Sequence, residues 1–370
     1  MSPPGRRRIA ILFGGRSAEH EVSCVSARSV RDALDPSRFE PVFIGITNEG
    51  RWHLLEEPPE LPAGGSGSTA LPGVSAAAGT EVELHGESGH AALVTEGGER
   101  SSLDIAFPLV HGPQGEDGTL QGLLELAGIP YVGAGVLASA VGMDKAVQKV
   151  LFAAAGLPVV PHEVIHEREW EEDPEAVEAR AEHLGYPLFA KPASLGSSVG
   201  ISRVGGRQEL QAALEEAFAY APKAVLERSM EGAREIECGV LGNDEPVTSV
   251  PGEILPAGDW YDYASKYLDE ATHLVIPAPL PDEVTEEVQR LSVSAFRAID
   301  CAGMARVDFF FREPGEIVVN EINTIPGFTR VSMYPKLWEA SGLPYRELID
   351  RLCDLAVERH ERERKRRTRP

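Results

Sequence analysis

An α/β fold that opens on a parallel sheet is what the chain predicts, and three stretches predict it. Ile9–Phe13 is an apolar run closed by Gly14-Gly15, and it is followed by a helical stretch, Val22–Leu34, and a second apolar run, Pro41–Thr47. Strand, tight turn, helix and strand in that order form the βαβ unit of an open sheet, with the glycine turn at the ligand-facing edge. A further core strand, Leu103–Val110, leads directly into a polar, glycine-rich loop, His111-Gly-Pro-Gln-Gly-Glu-Asp-Gly-Thr-Leu-Gln-Gly122. Near the other end, the apolar runs Val307–Phe311 and Ile317–Ile322 flank Glu313-Pro-Gly, which predicts a hairpin of mostly buried strands and adds an α+β part to the α/β beginning.

Composition narrows the function. With 370 residues, 42% of them hydrophobic and 25% charged, the chain can build two or three ordinary globular cores. A net charge of −23 opposes nucleic acid and anionic membranes as partners. An anionic substrate would then need local positive charge, which draws attention to single lysines at strand ends and in loops. Cys24, Cys238, Cys301 and Cys353 are widely spaced, form no C-x-x-C pair and suit a reducing compartment. The apolar run after the basic start is too short for a signal peptide, and Leu126–Met143, interrupted by Pro130 and glycines, reads as strand and loop and not as a membrane span.

Between these landmarks the elements follow in order. Glu56–Ser102 shifts to Pro, Gly, Ser and Ala around two alternating runs, Thr80–Leu84 and Ala91–Thr95, and predicts a surface excursion with a small hairpin. Met143-Asp-Lys-Ala-Val-Gln-Lys starts a helix that Gly156 ends. Tyr186-Pro-Leu-Phe-Ala-Lys191 is a strand with a lysine at its end. The loop Ala193–Gly200 is rich enough in Gly and Ser for backbone N–H groups to approach phosphate, and Ile201–Val204 returns as a strand. That loop lacks the G-x-x-x-x-G-K-[ST] pattern, so a hairpin lid is predicted and not a P-loop. Gln208–Tyr220 follows as a helix, Ala224–Glu227 and Glu235–Leu241 as strands, Asp282–Ala298 as a helix behind the hairpin, and Tyr345–Arg369 as a helix with a basic, solvated end. Asp259–Glu270, with three tyrosines and a lysine, is an aromatic-anchored surface loop or, beside a phosphate site, a lid.

The hairpin carries the densest chemistry. Asp308, Glu321 and Asn323 sit in its apolar strands, where carboxylates brought together without a counter-charge repel and are costly to bury. Oxygen donors converging from adjacent antiparallel strands suit a hard cation such as Mg²⁺, and Arg306 beside them suits a metal-bound phosphate. The plainer alternative is that Asp308 and Glu321 are edge carboxylates paired with Arg306 and Arg312.

In order along the chain, Gly14-Gly-Arg-Ser-Ala-Glu-His-Glu-Val-Ser23, His111–Gly118, Met143-Asp-Lys145, Lys191-Pro with Gly196-Ser-Ser-Val-Gly200, Tyr261-Asp-Tyr-Ala-Ser-Lys-Tyr267, Arg306-Val-Asp308 and Asn320-Glu-Ile-Asn-Thr-Ile-Pro-Gly327 resemble the D-alanine–D-alanine ligases of the ATP-grasp superfamily. The resemblance runs from residue 14 to residue 332. It implies a three-domain ATP-grasp fold, α/β and α+β, with an N-terminal open parallel α/β sheet domain. The units would be residues 1–135, a central subdomain with the phosphate lid at 136–226, and a C-terminal subdomain with the metal site and a lid loop at 227–365. It implies ATP and D-alanine as substrates, two Mg²⁺ or Mn²⁺, and a cytoplasmic homodimer serving peptidoglycan synthesis with no nucleic-acid or membrane partner.

The resemblance also assigns residues. Lys145 and Lys191 would hold ATP phosphates, Ser197, Ser198, Glu235 and Lys266 would face the nucleotide, and Glu227 its adenine and ribose end. Asp308, Glu321 and Asn323 would bind the metals. Glu19, with His111 nearby, would hold the ammonium of the first D-alanine, and Ser332 and Met333 the second D-alanine. Ser197, Tyr267 and Glu19 would close the lid, while Arg306 and the Gly327 N–H would face the developing oxyanion. Arg228 stands where many relatives carry lysine or an apolar residue, and the Glu56–Ser102 excursion exceeds that of compact members. A relative forming D-alanyl-D-lactate or D-alanyl-D-serine shares every phosphate-handling residue. A nucleotide sensor without chemistry would not need Arg306, and a dinucleotide dehydrogenase would need the G-x-G-x-x-G that Gly14-Gly15 lacks.

Overall fold

The computed structural model describes residues 5–60, 72–75, 77–87, 90–255 and 273–366. The first sheet grows from β1 (Arg7–Gly14), which is followed by α1 (His20–Ala33) and β2 (Phe39–Ile46), with β1 and β2 parallel as the βαβ reading expects. Gly14 cannot carry a side chain, because its φ is +86° and a Cβ would lie 2.2 Å from the Ile46 carbonyl oxygen. The sheet then continues antiparallel through β3 (Trp52–Leu55), β4 (Thr80–Glu87), β5 (His90–Thr95) and β6 (Arg100–Leu103). The predicted excursion is thus an extension of the sheet edge, and only β2, β1 and β7 (Ile105–Pro108) are parallel.

Leu103–Val110 is not one strand. The chain breaks at Asp104, whose carboxylate accepts from the Arg8 N–H at 2.6 Å and whose own N–H donates to the Arg8 carbonyl, so β6 and β7 lie on different ladders. The apolar run that reads as strand and loop also differs: after α2 (Thr119–Ala127), its second half is α3 (Val136–Met143). A segment without alternating polar positions has no periodicity with which to announce a helix, and α3 buries only Ala138 and Ser139.

A second sheet holds the hairpin expected to form the lid. Helix α4 (Lys145–Ala154) is capped by Asp144, which accepts from the N–H groups of Ala146 and Val147. Then come β8 (His162–His166), α5 (Glu167–Glu172), α6 (Pro174–Leu184), β9 (Leu188–Pro192), β10 (Ser202–Val204), α7 (Arg207–Phe218) and β11 (Lys223–Arg228), with strand order β10-β9-β11-β8. β9 and β10 form the expected hairpin around Ala193–Ile201.

The third sheet contains β12 (Arg234–Gly242), β13 (Val247–Thr248), β14 (Gly252–Leu255), β15 (His273–Val275), β16 (Gly303–Arg312) and β17 (Glu316–Asn323). Helix α8 (Asp282–Ala298) covers one face, where Val288, Leu291, Ala295 and Phe296 meet Ile236, Cys238, Val307 and Phe309. Strand alternation leaves the opposite face to the charged residues. Helix α9 (Met333–Ala340) leads to α10 (Tyr345–Arg364), which returns to the first sheet: Leu348, Leu352 and Cys353 share one core with Ile9, Ile11, Ala27 and Phe107.

Candidate functional site

A cleft of about 860 Å³ lies between the second and third sheets, lined by Lys145, Lys191, Gly196–Ser198, Glu227, Glu235, Glu237, Arg306, Asp308 and Glu321 among others. Its floor is set by strand register. Glu237 faces Asp308 across β12 and β16, while Asp308 faces Glu321 and Arg306 faces Asn323 across β16 and β17. The register slips after Asp308, leaving Asn320 as the extra residue of a bulge, a device that re-aims neighbouring side chains.

The charges are paired across this floor. Arg306 forks onto Asp308 with two contacts of 2.7 Å, and its Nε lies 2.9 Å from Glu237 Oε2. Asn323 Nδ2 donates to Asp308 at 2.9 Å. Lys145 Nζ lies 3.0 Å from Glu321 Oε2 and donates to the Leu195 carbonyl of the lid. Burial would lower the Lys145 pKa, but Glu321, with Glu227 and Glu116, outweighs it and holds the ammonium above its usual range. The edge-pairing alternative therefore holds for Asp308 with Arg306 but not for Arg312, which bonds Glu316.

On β9 and β11, Lys191 Nζ meets Glu227 Oε2 at 2.5 Å. The other carboxylate oxygen is 2.8 Å from Lys149, a side chain only 1% exposed. Burial pushes the Glu227 carboxyl up, yet the two ammonium groups dominate and hold it down at about 2. Arg228 turns away from this group to the Leu184 carbonyl.

A second group of residues gathers where the loops of the first sheet meet the lid. Ser197 donates from its hydroxyl to Glu19 Oε1, joining residues 178 apart in the chain. Glu19 is buried, and its Oε2 lies close to both Gly112 and Gly196, where added Cβ atoms would come within 3.2 and 3.6 Å of it. His111 is buried and bonded through Nδ1 to Glu116 Oε1 at 3.1 Å. Burial would lower its pKa, but Glu116 and then Glu19 outweigh it and raise the imidazole above its usual value. Ser332 is the N-cap of α9, its hydroxyl 2.7 Å from Thr329 Oγ1 and close to Gly327. Met333 packs with Ile254 and Leu337 instead of lining the cleft. Ser198 and Glu235 line the cleft, whereas Tyr267 and Lys266 lie outside the described residues.

Three participants escaped the sequence reading. Lys149 is one helical turn beyond Lys145, Glu237 is two residues beyond Glu235 on the same strand face, and Glu116 lies inside the His111–Gly122 loop. Lys149 and Glu237 were reachable from helix and strand periodicity once Lys145 and Glu235 had been singled out, whereas Glu116, in an irregular loop, carries no such signal.

The donors on the floor are oxygens, as Mg²⁺ or Mn²⁺ requires, and they come from rigid strands. Among the described residues no three His, Cys, Asp or Glu side chains are placed to hold a metal on their own. Two carboxylates and an amide therefore fit a cation whose remaining ligands are phosphate oxygens or water.

Family models described as the D-ala D-ala ligase N-terminus and C-terminus match residues 8–134 and 151–354. A D-alanine–D-alanine ligase of Deinococcus radiodurans is 50% identical over 355 residues, covering 95% of this chain and 99% of its own. One from Thermoanaerobacter sp. (strain X514) is 49% identical over 359 residues, covering 96% and 98%. Among solved structures, the D-alanine-D-alanine ligase from Coxiella burnetii superposes with a TM-score of 0.84 at 39% identity, covering 97% of this chain and 96% of its own. VanG D-Ala:D-Ser ligase from Enterococcus faecalis does so with 0.80 at 35%, covering 95% and 100%.

Proposed function

The chain belongs to the D-alanine–D-alanine ligase family, and from that premise we propose that it joins two D-alanines at the expense of ATP, through a D-alanyl phosphate, to supply peptidoglycan precursors. One observation carries the reading: Arg306, Asp308, Glu321 and Asn323 share a strand face at the floor of a cleft whose lid contributes Lys191 and Ser197.

In this reading ATP enters between the second and third sheets, with Lys145 and Lys191 on its phosphates, Ser197 and Ser198 of the lid against them, and Glu227, Glu235 and Lys266 toward the nucleoside. Asp308, Glu321 and Asn323 would hold two Mg²⁺ or Mn²⁺, which when bound neutralise charge on the transferring phosphoryl group. Glu19, with His111, orients the first D-alanine by its ammonium so that its carboxylate attacks the γ-phosphate. The amine of the second D-alanine, placed by Ser332, then displaces phosphate from the acyl carbon. Arg306 and the Gly327 N–H stabilise the tetrahedral oxyanion. Ser197, bonded to Glu19 and completed by Tyr267, keeps water from the acyl phosphate.

The working units are residues 1–135, 136–226 and 227–365, in a cytoplasmic enzyme. Among the described residues no helix is long and apolar enough to cross a membrane. Leu126, Leu137 and Val150, each more than 60% exposed on consecutive helices, support a homodimer as the assembly. ADP release with D-alanine, L-alanine, D-lactate and D-serine, offered singly and in pairs, tests the reading. Release is expected with D-alanine alone, and release that depends on D-lactate or D-serine would replace dipeptide synthesis with depsipeptide or mixed-dipeptide synthesis.

A further inference from the structure

Lys149 is one of the most deeply buried ammonium groups described, yet none of the chemistry above uses it. It rises from α4 beneath the cleft and has two partners. One is Glu227 Oε1 on β11, at 2.8 Å, and the other is the Asn320 carbonyl at the β17 bulge, at 2.9 Å. The same helix face reaches the two residues that follow that bulge contact: Lys145 meets the Glu321 side chain, and Gln148 Oε1 accepts from the Ile322 N–H. Three consecutive residues of the metal-site strand are therefore held by one turn of α4, and Lys149 extends that hold to the second sheet.

The two lysines on Glu227 are not equivalent. They use different oxygens, Lys149 on Oε1 and Lys191 on Oε2. Lys191 lines the cleft and Lys149 does not. Only Lys191 can turn to an incoming phosphate. If it were the sole counter-charge of Glu227, its departure would strand a carboxylate that is 2% exposed, a costly state in a dry interior.

We infer that Lys149 is a positioning residue, the standing counter-ion of Glu227 that lets Lys191 leave that carboxylate for a nucleotide phosphate while Glu227 stays ionised and fixed. The inference rests on the nucleotide site proposed above. It adds that the phosphate contribution to binding depends on a group touching neither phosphate nor nucleoside. The bulge carbonyl keeps Lys149 in place when Lys191 moves, because that bond belongs to the third sheet.

The test compares ADP with adenosine on the full chain, by titration calorimetry. Adenosine does not call on Lys191, whereas ADP does, so the ratio of their dissociation constants reads the phosphate contribution. In Lys149→Met, where Lys191 is left as the only counter-charge, that ratio should shrink by roughly tenfold or more, as for the loss of a charge-assisted contact. Lys149→Arg should keep most of it. In Lys149→Met with Glu227→Gln no carboxylate remains to hold Lys191, and the ratio should return toward that of the wild type. This double variant leaves no orphaned buried carboxylate, so it serves if the single variant does not fold. Equal weakening of ADP and adenosine in Lys149→Met would assign Lys149 a purely structural role and overturn the inference. So would a collapsed ratio in the double variant, which would place Lys149 at the phosphates themselves. Wild-type protein that binds neither ligand would overturn the proposed nucleotide site instead.

Discussion

Ser197→Ala is expected to open the lid, and the structure supplies both sides of the balance. Ser197 and Ser198 have φ of 53° and 58°, left-handed values that cost a residue with a Cβ about 1–3 kcal/mol each. Against that strain stands the hydrogen bond from Ser197 to the buried Glu19 carboxylate, a type worth about 1.5–3 kcal/mol. Alanine removes the bond and keeps the strain, so the open population should rise by about 10- to 150-fold. Glycine also removes the bond, but it is at ease with a positive φ and should give back about 1 kcal/mol. Amide hydrogen exchange across Ser194–Gly200 in the ligand-free protein reads this directly, with exchange fastest in Ser197→Ala, intermediate in Ser197→Gly and slowest in the wild type. ADP release with D-alanine should fall in the same order. Exchange in Ser197→Ala as slow as in the wild type, or slower than in Ser197→Gly, would refute the idea that a strained loop is latched by this bond.

Asp308→Asn and Glu321→Gln should each abolish ADP release while circular dichroism stays near wild type, because the shape is kept and metal-neutralising charge is lost. Full turnover at saturating Mg²⁺ would show the metal site to be elsewhere. The His111–Glu116 pair should give a pH-dependent stability. Both groups have raised folded-state pKa values, so the folded state binds more protons, and stability falls as pH rises, for His111 from about pH 6.5 upward. The melting-temperature gap between wild type and Glu116→Gln should thus be wider at pH 6 than at pH 8.5, and a gap that widens with pH would reverse the sign. Tyr267→Phe should raise D-alanyl-D-lactate relative to dipeptide from mixed D-alanine and D-lactate, most at low pH where the competing amine is protonated. An unchanged product ratio across pH 6–9 would remove Tyr267 from specificity.

Much of the molecule was legible along the chain because its signals are local. Gly14 could be read as a turn from its place after Phe13, and the β16–β17 hairpin from two apolar runs around Pro314-Gly315. Alternation then put Arg306 and Asp308 on one face and Val307 and Phe309 on the other, which is how a metal-like floor could be expected before any coordinates. Where locality ends, so did the reading. Asp104 splits an apolar run because its partner, Arg8, lies far back in the chain. The return of α10 to the first sheet depends on which hydrophobic face is left uncovered, a property of the assembled molecule. In the site, residue types announced the chemistry, but the partners were decided in three dimensions. Lys191 shares Glu227 with Lys149, Lys145 sits on Glu321, and Ser197 meets Glu19 across 178 residues. Charges buried at the junction of sheets take whichever counter-charge folding brings within reach, and no periodicity within one strand or helix encodes that choice.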